Sequence, residues 1–218
     1  MRYNNQKMYD TPSTDRIEVA CDEVGRGCLW GPVVAAAVIL PPFEPWMNQL
    51  KDSKQMSAKK RDIVTELIKE NAISWAVGSA TAKEIDTMNI LKASLKAMHR
   101  ALDQVSQMAD FNHILVDGTH FKPYSNGKTE DDEDIYISHT CIAGGDAIKM
   151  SIAAASILAK TYRDNWVIKE VTETPDLNKY ALTENKGYGT LKHMLALDKY
   201  GPDKNHRFSF APVARCKD

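Results

Sequence analysis

The stretch VACDEVGRGCLWGPVVAAAVIL, Val19 to Leu40, places two adjacent acids, Asp22 and Glu23, and a glycine-rich turn between two apolar runs. Residues 17–21 and 33–40 have the length and composition of buried strands, and their short connection favours an antiparallel pair. A strand that ends in adjacent acids is poorly suited to a core. The stretch therefore predicts a site at the edge of a sheet.

The length and composition are those of an ordinary globular protein. The 218 residues are 43% hydrophobic and 26% charged, which is enough to bury a full core. Apolar runs fall well short of the ~20 residues that span a bilayer, and the first 16 residues lack an apolar signal core. We therefore expect a cytoplasmic protein with no membrane association. The four cysteines lack zinc-site spacing and are expected to be reduced thiols.

A formal net charge of −1 gives no overall attraction to phosphate, so nucleic-acid binding has to come from local patches. Residues 186–217 carry seven Lys or Arg and two acids, which predicts a basic surface. The acidic run from Glu130 to Asp134 is interpreted as a solvated hairpin tip, because packed like charges repel.

The rest of the chain predicts three more strands and four helices. The strands are 73–81, 113–118 and 135–142, and the helices are 58–71, 88–105, 151–172 and one that Thr190 caps and Gly201 ends. This order indicates an α/β domain with a five-stranded mixed sheet flanked by helices. Residues 1–15 are polar and expected to be loosely held. We place a main domain at 16–175 and a small helical extension at 176–218.

Four acids follow or end predicted strands: Asp22, Glu23, Asp117 and Asp146. If the first and fourth strands are parallel neighbours, their acids meet at one edge of the sheet. Clustered carboxylates raise one another's pKa unless a cation joins them, and Mg²⁺ or Mn²⁺ suits oxygen ligands.

Each acid also has an ordinary interpretation. Asp22 and Glu23 suit a solvated turn, Asp117 suits a turn before Gly118, and Asp146 suits a helix cap. Asp164, four residues after Lys160, is interpreted as half of an ion pair on a helix surface. The four acids indicate a metal site only in combination with the motifs around them.

Seven motifs occur in the order and approximate spacing of the ribonuclease HII family, which this sequence resembles from about residue 18 to 213. They are DEVGRGCLWGPVVAAAVIL, DSKQMS, EIDTMNILKASLKAMHRAL, ILVDGTHFKPY, GGDAIKMSIAAASILAKTYRD, NKGYGTLKH and HRFSFAPV.

The resemblance implies a ribonuclease H-like fold and an endoribonuclease. Such an enzyme cuts the RNA strand of RNA–DNA hybrids, or the 5′ side of a ribonucleotide embedded in duplex DNA. It implies two-metal-ion catalysis with Mg²⁺ or Mn²⁺, which leaves a 3′-hydroxyl and a 5′-phosphate. The metal-binding and catalytic acids fall on Asp22, Glu23, Asp117 and Asp146.

The resemblance also assigns the substrate contacts. Gly25, Arg26 and Gly27 match the loop whose backbone contacts the ribose 2′-hydroxyl, a close approach that glycine permits. Tyr188 matches a tyrosine that stacks on the sugar at the RNA–DNA junction. Lys54 matches a phosphate-contacting lysine. The extension at 176–218 is expected to bind substrate, and the protein is expected to be a monomer.

Four positions depart from the family pattern. Cys28 and Trp30 replace a proline and a small residue, Gly144 replaces a lysine, and Asn185 stands where histidine is common. The missing lysine puts one contact near the metals in doubt. All four acids are present.

Two other functions are compatible with parts of this sequence. A junction resolvase with the same fold would use similar carboxylates but has no need for the GRG loop together with the KGYGT tyrosine. A non-catalytic hybrid-binding module would be expected to lack at least one metal-binding acid.

Overall fold

A computed structural model describes residues 16–216. Six strands form one mixed sheet in the order β3-β2-β1-β4-β6-β5. The strands are β1 (Glu18–Val24), β2 (Val33–Ile39), β3 (Ser74–Ala80), β4 (His113–Asp117), β5 (Tyr124–Lys128) and β6 (Asp134–Ile142). The α/β class and the mixed sheet are confirmed.

The strand count differs from the predicted five because β5 was missed. Its sequence, YSNGK, is polar and contains glycine, so it carries no strand pattern. It pairs antiparallel with β6 at the sheet edge. Just beyond β5, Thr129 N donates a hydrogen bond to Glu133 O at 2.8 Å. The acidic run therefore lies at a hairpin tip, as interpreted from sequence, with Asp134 as the first residue of β6.

The central strands place the acids. β1 pairs antiparallel with β2 and parallel with β4, in a register that ends at Cys21 opposite Val116. The next residues along are Asp22 and Asp117, so the two acids share one level of the sheet. β1 is longer than predicted, and Asp22 and Glu23 lie within it rather than after it.

Helices cover both faces of the sheet. The helices are α1 (Ala58–Asn71), α2 (Ala82–Met88), α3 (Ile90–Ser106), α4 (Met150–Glu173), α5 (Leu182–Asn185), α6 (Leu191–Tyr200) and α7 (Ala211–Ala214). Alternate strand residues face opposite layers. Val19 and Cys21 pack with α3, whereas Ala20 packs with α4 and α1.

Two helix predictions need correction. The helix expected from residue 88 begins at Ile90, because Asn89 adopts φ +74° and caps α3 through its side chain, and Met88 instead ends α2, a helix that was not predicted. The spacing of Ile152, Ala155, Ala159, Tyr162 and Trp166 predicts one apolar stripe along α4, but Tyr162 is exposed. The bounds of α1 agree with the prediction, as do the Thr190 cap and the Gly201 end of α6.

The C-terminal segment packs on the rest of the chain through a third apolar cluster. Leu29 and Trp30 from the β1–β2 turn and Val167 from α4 meet Leu197 of α6 and Val213 of α7 there. All four cysteines are free thiols. Within residues 16–216, no helix has the length and apolar character needed to cross a membrane.

The contact between β3 and α3 leaves no space for a side chain at Gly78. A Cβ built there would lie 2.2 Å from Ala97 O and 2.7 Å from Ala101 N. We expect Gly78→Ala to lower the free energy of unfolding by about 2 kcal/mol, since helix backbone cannot yield as a side chain would. Urea denaturation measures this. Gly127→Ala on β5, where the nearest atom is 3.9 Å away, is the control and should change stability little.

Candidate active site

Asp22 is the most buried acid at the sheet edge, with 5% of its surface exposed. Its carboxylate accepts a hydrogen bond from Glu23 N at 2.7 Å and another from the Ser156 hydroxyl of α4. Burial, then the charges of Asp117 and Glu23, raise the pKa of Asp22 well above its usual range. Burial and the charges of its neighbours thus disfavour the ionised form of Asp22.

Asp117 is the last residue of β4, and the turn that carries Asp146 lies next to it. Asp117 Oδ1 accepts from Gly145 N at 2.6 Å, in the turn Gly145–Ala147. Burial, and then the charge of Asp146, raise the pKa of Asp117. Asp146 itself pairs with Lys54 Nζ at 3.2 Å. Three of the four predicted acids, with Lys54, therefore meet at this edge.

Glu23 lies at the same edge but, by strand alternation, toward the α3 side of the sheet. Arg26 Nη1 donates to Glu23 Oε1 at 3.1 Å. Burial raises the pKa of Glu23, and the Arg26 contact opposes this. A cleft of about 250 Å³ opens here, lined in part by Glu23, Arg26, Asp117 and Gly144.

These oxygen donors fit a hard divalent cation. Within residues 16–216, no three His, Cys, Asp or Glu side chains already form a group able to hold a metal ion, and Lys54 and Arg26 neutralise two of the acids. Burial, and after it the neighbouring carboxylates, raise the pKa of Asp22, Glu23 and Asp117, so ionising all three carries a free-energy cost. A cation would relieve it, and carboxylate oxygens are the ligands that Mg²⁺ and Mn²⁺ prefer.

The GRG loop is shaped by two buried arginines. Gly25 adopts φ +89°, and a Cβ built on it would lie 2.3 Å from Arg163 Nε, so no side chain fits there. Arg163 donates to the carbonyls of Trp30, Pro32 and Lys186. Arg207 donates to the carbonyls of Gly31 and Arg26 at 3.0 and 2.9 Å.

These bonds decide which way the loop's peptide groups face. The described chain has no cis peptide, and in a trans peptide the C=O and N–H point in opposite directions. Arg26 O points at the buried Arg207, so the Gly27 amide points the other way. Gly25 O accepts from Cys28 N at 3.3 Å, so the Arg26 amide also points away from the turn. The loop can therefore offer two amides to a ligand.

Tyr188 lies beside this loop. Cys28 and Tyr188 form a backbone bridge, and Leu29 N donates to Gly187 O at 2.8 Å. A Cβ built on Gly27 would lie 4.0 Å from Tyr188 Cε1, so the ring and the loop are neighbours. The ring is 40% exposed. All nine site residues expected from sequence thus belong to one connected surface.

Sequence reasoning missed the residues that support this surface. Arg163 and Arg207 are fully buried, yet Arg207 was counted in the basic surface and is not available to phosphate there. Lys192 of the same surface pairs with Glu184 at 2.8 Å. Lys217 lies outside the described residues. In the sequence, the signal for Arg163 and Arg207 was their position in the motifs TYRD and HRF.

Asp164 was interpreted wrongly as a surface residue. It does pair with Lys160 at 2.8 Å, but it is buried and also accepts from Arg61 Nη2 at 2.9 Å. Arg61 in turn reaches Ser53 O at 3.4 Å, in the turn that carries Lys54. The pair therefore fixes the Lys54 turn against α4.

Comparison with solved structures defines the class of protein. The ribonuclease H2 of Pyrococcus horikoshii matches with a TM-score of 0.70 at 21% identity, over 92% of this chain and 96% of that one. A structure described as Bst-RNase HIII in complex with Mn²⁺ matches with a TM-score of 0.66 at 19% identity, over 91% and 68%. These matches define the fold as ribonuclease H-like.

Sequence comparison defines the family. Residues 19–213 match the profile described as Ribonuclease HII. The ribonuclease HII of Parabacteroides distasonis is 48% identical over 90% of this chain and 91% of its own length, and that of Christiangramia forsetii is 51% identical over 89% and 91%. The chain belongs to the ribonuclease HII family and is an endoribonuclease of RNA–DNA hybrids.

The burial of Asp22 gives a prediction for the metal-free protein. Because the folded state raises its pKa, ionised Asp22 costs folding free energy above the pKa of the unfolded chain, about 3.9. We expect Asp22→Asn to raise the free energy of unfolding at pH 7 by about 1 to 2 kcal/mol. The gain should shrink as the pH falls toward about 4.

Urea denaturation in EDTA measures this gain. Asp146→Asn is the matched control, since it removes a carboxylate already paired with Lys54 and should not stabilise the protein. Equal effects of the two substitutions on the free energy of unfolding would contradict the conclusion that ionised Asp22 destabilises the folded protein.

Proposed function

We propose that the protein also cuts 5′ of single ribonucleotides embedded in duplex DNA and leaves 3′-hydroxyl and 5′-phosphate ends. The observation that carries this proposal is the meeting of the GRG loop, Tyr188 and the acidic sheet edge on one surface. A site that contacts the 2′-hydroxyl of one nucleotide and the sugar of the next needs only one ribonucleotide. A long hybrid is then not required.

The loop recognises the ribose through its backbone. The amides of Arg26 and Gly27, turned outward by the carbonyl contacts described above, donate to the 2′-hydroxyl, which accepts as well as donates. Gly27 keeps the exposed side of the loop free of a Cβ that would hold a sugar away, and Gly25 leaves room on the inner side for Arg163. The 2′-hydroxyl is thus a recognition element, and deoxyribose leaves these amides unpaired.

The carboxylates form the proposed catalytic centre. Asp22, Glu23, Asp117 and Asp146 would hold Mg²⁺ or Mn²⁺, with two ions during catalysis. Bound there, the ions lower the pKa of water and stabilise the leaving 3′-oxygen. Ser156 and Gly145 N orient Asp22 and Asp117. Lys54, whose side chain is 76% exposed, can move from Asp146 to a substrate phosphate.

Binding of the duplex continues onto the C-terminal segment. We propose that residues 176–218 carry phosphate contacts through the lysines that lie on its surface, with Tyr188 at the RNA–DNA junction. All elements of the proposed site lie on this one chain, so we propose that the protein acts as a monomer, and its cytoplasmic location stays a prediction. Light scattering of the purified protein at micromolar concentration tests the monomer.

Loss of a metal-binding acid should abolish cleavage. We expect Asp22→Asn and Asp117→Asn each to lower the rate on a DNA duplex with one ribonucleotide by about a thousandfold or more. The upstream product of the unmodified protein should be extended by a DNA polymerase, which requires a 3′-hydroxyl. Asp62→Asn, an exposed acid on α1, is the control. Cutting of an all-DNA duplex at a similar rate would contradict the proposal.

Tyr188 should matter most at an isolated junction. If its ring packs on the deoxyribose after the ribonucleotide, Tyr188→Ala removes a contact worth about 1 to 3 kcal/mol, or about 5- to 150-fold. Cleavage of the single-ribonucleotide duplex should fall by much more than cleavage of a long hybrid, where other registers are available. Tyr162→Ala, an exposed tyrosine on α4, is the control. Equal losses on both substrates would assign Tyr188 only a structural role.

A further inference from the structure

Two fully buried histidines lie behind the Tyr188 loop and have no part in the site described above. His193 is on α6 and His206 follows it in the turn before α7, and both are 0% exposed. Their Nε2 atoms are 3.0 Å apart. His193 Nδ1 lies 3.0 Å from Tyr188 O, so this pair is connected directly to the loop.

The partners of the pair fix its protons. Tyr188 O is a carbonyl and can only accept, so His193 Nδ1 carries the hydrogen. Asp203 N lies 2.8 Å from His206 Nδ1 and can only donate, whereas Asp203 O lies farther away, at 3.3 Å, and already accepts from His206 N, so the shorter contact assigns an unprotonated Nδ1 to His206. Burial and the neighbouring His193 lower the pKa of His206 to about 4, and burial lowers that of His193, so both rings are neutral at pH 7.

These assignments produce one directed chain of hydrogen bonds. His206 Nε2 carries its remaining hydrogen and donates to His193 Nε2, which accepts. The chain runs from Asp203 N through His206 and His193 to Tyr188 O. Asp203 is itself held by Trp30 Nε1, which donates to Asp203 Oδ1 at 3.0 Å. Every donor meets an acceptor, with no proton left over.

Tyr188 needs such support because it lies outside regular structure. It stands between Gly187, with φ +85°, and Gly189. Its carbonyl accepts from Thr190 N at 2.8 Å as well as from His193. Tyr180, whose ring lies 4.8 Å from that of His206, closes the other side of the pair.

We infer that His193 and His206 are positioning residues that fix the Tyr188 backbone, and thereby set the preference for an isolated RNA–DNA junction. The inference rests on the proposed role of Tyr188 as the ring that packs on the junction sugar. Loss of the His193 contact leaves the Tyr188 carbonyl with only the Thr190 amide of these two donors, so the ring is no longer held in one position relative to Gly27. Selectivity for the junction then falls before general nuclease activity does.

Two substitutions at one position separate this role from simple packing. Asn places its amide where His193 Nδ1 lies and can still donate to Tyr188 O, whereas Gln places its amide near Nε2 and cannot. Gln fills more of the space of the ring than Asn does, so a loss confined to His193→Gln cannot come from lost packing. We expect His193→Gln to lower the ratio of single-ribonucleotide to long-hybrid cleavage about tenfold, with His193→Asn retaining most of it.

The measurement pairs this ratio with a readout that needs neither metal nor substrate. The Gly189 amide follows the Tyr188 carbonyl, so its position in a ¹H–¹⁵N spectrum reports the hydrogen bond to that carbonyl. It should shift in His193→Gln and stay close to the unmodified position in His193→Asn. His113→Gln is the matched control, because His113 is also buried and held by side chains, at Ser138 and Thr140, but lies on β4. It should lower stability without changing the ratio.

The outcomes are distinct. A ratio lowered in His193→Gln but kept in His193→Asn supports the inference. Equal ratios in the two variants, with the Gly189 amide unshifted, overturn it while leaving the proposed function intact if Tyr188→Ala still lowers the ratio. An unchanged ratio in Tyr188→Ala overturns the proposed role of Tyr188 and this inference with it.

Discussion

Two buried guanidinium groups hold the site in shape. Arg163 and Arg207 together donate to five backbone carbonyls, in the β1–β2 turn and at Lys186. A guanidinium keeps its charge when buried and presents a rigid fork of donors, which one ammonium group does not. Because the carbonyls turn inward, the amides turn outward, and this gives the loop the face that we propose recognises the ribose.

Sequence patterns predicted the parts of the fold that depend on apolar periodicity and capping. The bounds of α1 and the cap at Thr190 followed from such patterns, whereas the parallel pairing that brings Asp22 and Asp117 together was only a condition in the sequence argument and is supplied by the structure. The sequence could not indicate β5, since a polar edge strand depends on its partner. It could not indicate the burial of Arg163, Asp164 or His193 either, because a charged or polar residue on a helix has the pattern of a surface residue until its tertiary partners are known.

The departures from the family pattern now have structural explanations. Trp30 fills the space beside Trp166, with ring centroids 5.2 Å apart, and holds Asp203. Asn185 donates to Tyr180 O and accepts from Gly187 N, which builds the turn before Tyr188. Gly144 has φ +66° with open space around it, so the missing lysine leaves the cleft wider rather than distorting it. The buried Cys28 Sγ lies 3.6 Å from Lys186 O.

The contact between Arg207 and Arg26 joins residues 181 positions apart in the chain. During synthesis, the segments that carry the four acids leave the ribosome well before Arg207 does, and long-range contacts form late in folding. An incomplete chain therefore contains the four acids without the loop geometry that we propose recognises a ribose. If that proposal holds, selectivity for the sugar arises only when the polypeptide is complete through Arg207.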